Sequence, residues 1–254
     1  MEKKLFEGVK VADFGWVAEG PMVTKYLADY GAEVIRLEGR SRPEPMRALG
    51  PHKDNIVGLD RSGSTSQWNT SKLSLAINLA KPKGVEVAKR LVAWADIVVE
   101  NFSGEAMQRM GLGYEELQKI KPDIIMLSTC MMGQTGPYAT SPGTGSTLPA
   151  LSGITNITGW PDRMPVQPGA YTDWVAVHYN VLAILAALDY RRRTGKGQYI
   201  DVSQYETGVH FLAPLAMDYA VNQRVAGRVG NRCDYAAPHN AYRCRGDERW
   251  CAIA

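Results

Sequence analysis

Residues 11–38 read VADFGWVAEGPMVTKYLADYGAEVIRLE, and the change of hydrophobic period inside this stretch decides the fold. Val9–Phe14 is a short, mostly apolar run of strand length, and Gly15, Gly20 and Pro21 punctuate the joint after it. Met22–Tyr30 then has the spacing of an amphipathic helix, Gly31 fits a helix C-terminal stop, and Glu33–Leu37 returns to strand. A strand–turn–helix–strand unit of this length joins parallel neighbours in one sheet.

The alternation continues outward from that unit. Leu73–Leu79 alternates apolar and polar positions, Gly84–Ala95 has helical spacing through Val85, Val87, Leu91 and Val92, and Ile97–Phe102 is again strand-like. A helix over Tyr114–Ile120, a break at Pro122 and a strand over Ile124–Thr129 form the next unit. The repeated pattern predicts an α/β fold, a mostly parallel sheet with helices on both faces. Gly133–Gly169 is crowded with Gly, Pro, Ser and Thr, with periodicity only over Leu148–Ile154; a loop that long inside a compact domain is read as functional. A long helix follows Asp173, with Val177, Val181, Ile184, Leu185 and Leu188 expected on one face, arginines 191–193 in its last turn, and Gly195 and Gly197 stopping it. Tyr199–Val202 reads as a strand and Thr207–Val221 as one helix. The last residues, Arg249–Ala254, read as a strand with no turn after it, which suggests a truncated chain.

Charge and composition narrow the function classes. Twenty-nine Lys and Arg against 26 Asp and Glu leave +3 over 254 residues, too little for a dedicated nucleic-acid or membrane-surface binder. The longest apolar stretches, such as Leu182–Leu188, fall far short of a bilayer span, and MEKKLFEGVKV lacks the apolar core of a secretory signal. Four cysteines make no disulfide framework. The expectation is a soluble, cytoplasmic protein with neither nucleic acid nor membrane as partner.

Among chemical motifs, the scattered histidines and Cys233, Cys244 and Cys251 lack paired metal-ligand spacing, so no metal is expected. The turn Gly15–Pro21 matches neither the dinucleotide nor the Walker glycine pattern, although Gly20-Pro21 at a helix start offers backbone N–H groups to an anion. The sequence Gly143-Thr144-Gly145-Ser146 lacks the strand–nucleophile–helix context of a hydrolase elbow. Asp173 stands out among carboxylates. It follows the Gly/Pro-rich stretch and heads a long helix, where the dipole favours its charge; that placement suits a nucleophile, and the same facts describe an ordinary N-terminal cap, by far the commoner case.

Taken together, residues 11–38, NTSKLSLAINLAKPKG (69–84), DIVVENFSGEAMQRMGLGYEEL (96–117), KPDIIMLSTCMMGQTGPY (121–138), DWVAVHYNVLAILAAL (173–188) and RRRTGKGQYIDVS (191–203) resemble the class III CoA-transferases. That group contains formyl-CoA, carnitine and benzylsuccinate CoA-transferases, and the resemblance runs from about Leu5 to Val209. It implies a Rossmann-like large domain over residues 1–225 that binds CoA, with residues 226–254 opening a smaller, incomplete domain. It implies Asp173 as nucleophile, attacking an acyl-CoA such as succinyl-CoA and passing CoA to a carboxylic acid through an aspartyl intermediate. The CoA contacts it implies are Trp16, Val17 and Ala18 in the first turn, Lys72 toward a phosphate, then Asn101, Phe102, Arg109 and Met110. Arg40 is a weaker phosphate candidate because Gly39 intervenes after the strand's final Glu38. Backbone N–H groups near Gly133–Gly136 or the helix start are candidates to meet the oxyanions. Partners implied are acyl-CoA, a carboxylic acid, and either an identical subunit in an interlocked dimer or a homologous one.

Rival readings are a 2-methylacyl-CoA racemase, a non-catalytic partner subunit, and an NAD-dependent oxidoreductase. The racemase's histidine has no counterpart in Ser141–Gly145, the presence of Asp173 favours a catalytic chain, and the oxidoreductase lacks its glycine fingerprint. The glycine-rich loop of the resembled family is not evident in Gly230–Arg243. Trp16, Trp160, Trp174 and Tyr138 lie near the motifs and lean toward an aryl or dicarboxylic acceptor such as benzylsuccinate.

Overall fold

The computed structural model describes residues 4–254. In chain order the elements are β1 (Lys10–Asp13), α1 (Glu19–Asp29), β2 (Glu33–Glu38), α2 (Gly63–Trp68), β3 (Leu73–Ala76), α3 (Pro82–Trp94) and β4 (Ile97–Glu100). They continue with α4 (Ala106–Arg109), α5 (Tyr114–Ile120), β5 (Ile125–Cys130), α6 (Leu148–Leu151), α7 (Ile154–Ile157) and α8 (Tyr171–Thr194). The last are β6 (Gln198–Ser203), α9 (Gln204–Phe211), α10 (Ala213–Asn222), β7 (Asn240–Arg243) and β8 (Trp250–Ile253).

Strands β1 to β6 form one sheet in the order β3-β2-β1-β4-β5-β6, with every neighbouring pair parallel. This is the order of doubly wound dinucleotide-binding sheets. β1 lies at the centre, its Val11 registered against Val34 of β2 on one side and Ile97 of β4 on the other. The chain winds outward from β1 through β2 to β3, then returns to wind outward again from β4. The loops after β1 and β4 therefore diverge and leave a crevice at the carboxyl ends of the two strands, where such sheets take their ligands.

Both faces of the sheet are covered, and the two-residue period of the strands sorts their side chains accordingly. Val11, Val34, Ile97, Val99, Ile125 and Leu127 point into one core with Val23 and Leu27 of α1 and Val177, Ile184 and Ala187 of α8. Ala12, Leu37, Val98, Ile124 and Met126 point the other way, against Ala88, Leu91 and Val92 of α3, with Met107 of α4 and Leu117 of α5. Each fully enclosed aliphatic side chain contributes roughly 1.5–3 kcal/mol of transfer free energy, which fixes the register of the central strands.

Several expected elements differ in detail. α8 begins at Tyr171, so Asp173 is the third residue of its first turn and not a cap; its own N–H donates to the Ala170 carbonyl at 3.1 Å. Leu185 lies outside the buried stripe of α8 and is exposed. The arginines do occupy the last turn, and Gly195 closes the helix at φ +71°, a left-handed conformation that a glycine adopts without steric cost. The stretch expected as one helix over 207–221 is two, α9 and α10, divided at Leu212. Pro214 has no N–H to continue the first helix and sits instead in the opening turn of the second. The loop 133–169 carries two one-turn helices, α6 and α7. β7 and β8 pair antiparallel in a separate two-stranded sheet, so the final strand has a partner in the described chain.

Candidate functional site

The turn between β1 and α1 is held from two sides. Asn101, just past β4, receives the Trp16 N–H on Oδ1 at 2.7 Å and donates Nδ2 to the Trp16 carbonyl at 2.8 Å, so one side chain grips both polar groups of that peptide. A Cβ on Gly20 would fall 2.8 Å from the same Oδ1, which is why the helix opens on glycine there. Val17 has φ +61°, a conformation costly for a β-branched residue, and its N–H donates to Oε1 of buried Glu44 at 3.0 Å. Ala18 is buried under the turn as α1 begins.

This turn forms one wall of a cleft of about 440 Å³ over the carboxyl ends of β1 to β4. Its lining includes Trp16, Arg42, Asn78, Leu79, Phe102 and Met110. The Trp16 and Phe102 rings meet at 6.4 Å, tilted by 54°, and the Arg42 guanidinium stands 5.1 Å over the Trp16 ring. A cleft with aromatic walls and an arginine at its mouth suits a planar base carrying anionic groups.

The structure thus brings Trp16, Phe102 and Met110 into one cleft, with Val17, Ala18 and Asn101 shaping the adjoining turn. Arg40 is exposed and does not line the cleft; Arg42, two residues on and unremarked in the sequence, does. Arg109 is exposed beside Met110. Lys72 is not presented to the cleft. Its ammonium donates to Asp13 Oδ2 at 2.9 Å, the Pro21 carbonyl at 2.8 Å and Asn69 Oδ1 at 2.9 Å. Both members of the Lys72–Asp13 pair are buried, and burial lowers the lysine pKa to about 8. This placement has a plain cause: Asp13 is wholly buried at the end of β1 and requires a cation. Of the four aromatics noted in the sequence, Tyr138, Trp160 and Trp174 are exposed and do not line the cleft.

Along the same turn, one residue past Ala18, Glu19 opens a second cluster. Its buried carboxyl accepts Thr129 Oγ1 at 2.5 Å, Asn180 Nδ2 at 2.5 Å and Gln204 Nε2 at 2.9 Å. Burial raises its pKa to about 7, and the Asp173 charge acts in the same direction. Asp173 itself is raised to about 6 by burial. No side-chain hydrogen bond to its carboxylate is found among the described residues. Gly145 explains how it fits: a Cβ there would lie 2.3 Å from Asp173 Oδ1 and 2.6 Å from Cγ. The Gly145 carbonyl is tied by Thr172 Oγ1 at 3.2 Å, so the glycine-rich loop is laid directly on the carboxylate. Neither Glu19 nor Gly145 was singled out from sequence. Glu19 lay in a turn read for phosphates, and Gly145 shows its role only through a contact 28 residues along the chain.

The loop after β5 is anchored by Gln134, whose N–H donates to the Asp201 carboxylate at 2.9 and 3.1 Å and whose Nε2 donates to the Phe102 carbonyl at 2.8 Å. That N–H is therefore engaged and is not free to meet an oxyanion. Glu100, buried below, is raised to about 7 by its burial. Among the described residues no group of three His, Cys, Asp or Glu side chains is placed to hold a metal ion, and no helix is long and apolar enough to cross a membrane.

Comparison with known proteins gives concordant matches. The family model described as CoA-transferase family III matches residues 6–254. The succinyl-CoA–D-citramalate CoA-transferase of Chloroflexus aurantiacus is 37% identical over 240 residues, covering 93% of this chain and 58% of its own length. The human succinyl-CoA:glutarate CoA-transferase is 37% identical over 243 residues, covering 95% of this chain and 55% of its own. A CAIB/BAIF family protein from Brucella suis superposes with a TM-score of 0.87 at 34% identity, over 94% of this chain and 64% of that one. The chain thus spans a little over half the length of these two curated relatives.

Proposed function

The chain belongs to CoA-transferase family III, and from that premise we propose that it moves CoA from a donor thioester such as succinyl-CoA to a carboxylic acid acceptor, with Asp173 as covalent nucleophile. The observation that carries this reading is the Asp173 carboxylate. It is largely enclosed, without a hydrogen-bond partner among the described residues, and pressed against Gly145 in the first turn of α8. A carboxylate with no hydrogen bond to give up is well prepared to attack, and its raised pKa makes it more basic than an exposed aspartate while leaving it ionised at neutral pH.

In this reading the adenine end of CoA lies between Trp16, Phe102 and Met110, with Arg42 and Arg109 toward its phosphates. The turn Trp16–Glu19 leads from there to Asp173. One Asp173 oxygen attacks the thioester carbonyl and expels CoA thiolate, leaving a mixed anhydride. The thiolate adds to the aspartyl carbonyl and releases the donor acid, giving an aspartyl–CoA thioester. The acceptor carboxylate attacks that thioester, expels the thiolate again and forms a second anhydride. Thiolate attack on the acceptor's carbonyl completes the acyl-CoA and returns Asp173 as a carboxylate. Each exchange is divided into steps of similar difficulty. Relatives named for citramalate and glutarate support a dicarboxylic acceptor. The apolar residues exposed on α8, Trp174, Leu182 and Leu185, support a second, identical or homologous subunit.

The test uses the full-length protein. It is incubated with succinyl-CoA, trapped with hydroxylamine or borohydride, and the modified peptide is mapped by mass spectrometry with Asp173→Ala as control. A label on Asp173 that the variant lacks is the expected result. A label elsewhere, or none with an active protein, refutes the covalent assignment.

A further inference from the structure

Among the described residues, Glu19 is a buried carboxyl without a cation. The contrast lies a few residues away: Asp13, equally buried, is given the Lys72 ammonium at 2.9 Å. Glu19 receives only neutral donors, one each from β5, α8 and α9, through Thr129, Asn180 and Gln204. Neutral hydrogen bonds offset only part of the cost of a buried charge. The cluster also holds two amide oxygens, Asn180 Oδ1 and Gln204 Oε1, that are buried and have no donor. A site with surplus acceptors is short of a proton, and one proton on the carboxyl supplies it once an amide turns over.

Asp173 stands on the same face of α8 as Asn180, two turns nearer the start of the helix, so it lies on the face that carries the grip on Glu19. The Asp173 charge raises Glu19 further, as a lesser effect beside its burial, while Asp173 is raised by its own burial. Of the other titratable groups on the packed elements, Cys130 of β5 meets Gln134, Lys25 of α1 pairs with Asp29, Tyr26 of α1 packs on His178 of α8, and Tyr179 of α8 and His210 of α9 bond each other, while Tyr205 of α9 is half-buried and Glu206 exposed.

We propose that Glu19 is a positioning residue forming with Asp173 a coupled pair of carboxyls that holds one proton near neutral pH, so that the nucleophile attacks as the only charge of the pair. This deepens the transferase reading and rests on it. A second negative charge opposes the oxyanion that develops when a thioester is attacked, so reactivity falls when the pair loses its last proton. The burial that raises both groups, Asp173 to about 6 and Glu19 to about 7, sets the window between the two ionisations.

The experiment has two arms, both on full-length protein. The first follows the rate of Asp173 labelling by succinyl-CoA against pH in wild type and Glu19→Gln. Wild type is expected to show two ionisations, with the rate falling about tenfold per pH unit above the second. Glu19→Gln, which keeps the shape and supplies a permanent donor, is expected to lose the alkaline limb. A Glu19→Gln profile that keeps both limbs overturns the proposal. The second arm needs no turnover. Infrared difference spectra, wild type minus Glu19→Gln, follow the Glu19 carboxyl through pH 4 to 9, and the same difference is taken in an Asp173→Asn background. Removing the Asp173 charge is expected to move the Glu19 midpoint to lower pH. An unmoved midpoint, or a midpoint in the ordinary carboxylate range, overturns the coupling. If no label forms on Asp173 while the infrared coupling is present, the transferase reading has failed and the carboxyl pair stands.

Discussion

The contact between Gly145 and Asp173 gives the sharpest prediction. Gly145→Ala adds one methyl group whose carbon, on the present backbone, falls 2.3 Å from Asp173 Oδ1 and 2.6 Å from Cγ and Oδ2, where ordinary contact begins at 3.4 Å. Either the carboxylate or the loop must yield. The loop is restrained by Thr172 Oγ1 on the Gly145 carbonyl and by the Thr147 N–H on the Thr144 carbonyl at 2.8 Å. The carboxylate accepts no hydrogen bond among the described residues, so it is the part expected to turn away, by about 1 Å, and a displacement of that size at a reacting atom costs on the order of 100-fold in rate. That factor is about 2.7 kcal/mol of transition-state stabilisation. Gly145 is not among the residues at positive φ, so alanine brings no backbone strain and the melting temperature should change little. The measurement is kcat for CoA transfer from succinyl-CoA in the full-length protein, beside thermal unfolding. Gly143→Ala is the control, because its Cβ would meet the flexible Met131 Sδ at 3.2 Å. A Gly145→Ala enzyme within threefold of wild type would refute the claim that this glycine seats the nucleophile. So would a rate loss matched by global destabilisation.

Three further outcomes follow from the site. Lys72→Ala leaves the buried Asp13 carboxylate without its cation and should cost roughly 3–5 kcal/mol in denaturant unfolding, well beyond the effect of a surface lysine. Glu100 has a folded pKa of about 7 against 4.5, so its protonated form stabilises the fold below pH 4.5 and that contribution is lost as pH rises through 7. The loss is about 3 kcal/mol at most, and urea midpoints between pH 5 and pH 8 should show a smaller drop for Glu100→Gln than for wild type. Trp16→Ala removes the ring against Phe102 and under Arg42, and should raise the Kd for CoA about tenfold by calorimetry while leaving Asp173 labelling at saturating CoA much less affected.

The sheet was legible because its strands are buried on both faces, so that short apolar runs such as Ile97–Glu100 and Ile125–Cys130 stand out between polar joints. The division of α9 from α10 is hidden in the sequence although Pro214 marks it, because the apolar spacing continues across the break. In the candidate site, proximity within a strand-end motif is legible: Trp16, Asn101 and Phe102 lie at the ends of adjacent strands, and strand order alone brings them close. Residues whose role comes from packing were not. Lys72 resembles a surface cation in sequence, and only the burial of Asp13 at the end of β1 turns it inward. Arg42 reaches the cleft because the backbone folds back at the Gly39–Arg42 bridge, which no periodicity announces.

The topology also accounts for why one turn bears on two clusters. β1 is the strand from which the sheet winds in both directions, so the residues leaving it face the crevice on one side and the start of α8 on the other. Trp16 faces the cleft, while Glu19, three residues later, is at the first turn of α1 and reaches across to Asn180. A rigid link between them is needed if a long substrate bound at one end is to present its thioester at the other, and the turn is made rigid by side chains and not by glycines alone. Asn101 fixes the Trp16 peptide, and Glu44 holds Val17 in a conformation it would otherwise leave. The strain at Val17 therefore belongs to the positioning of Glu19 as much as to the cleft. Loosening it by Glu44→Ala should weaken CoA binding and Asp173 labelling together, whereas Trp16→Ala should affect mainly the first. Equal effects of the two variants on labelling at saturating CoA would argue against a mechanical link along the turn.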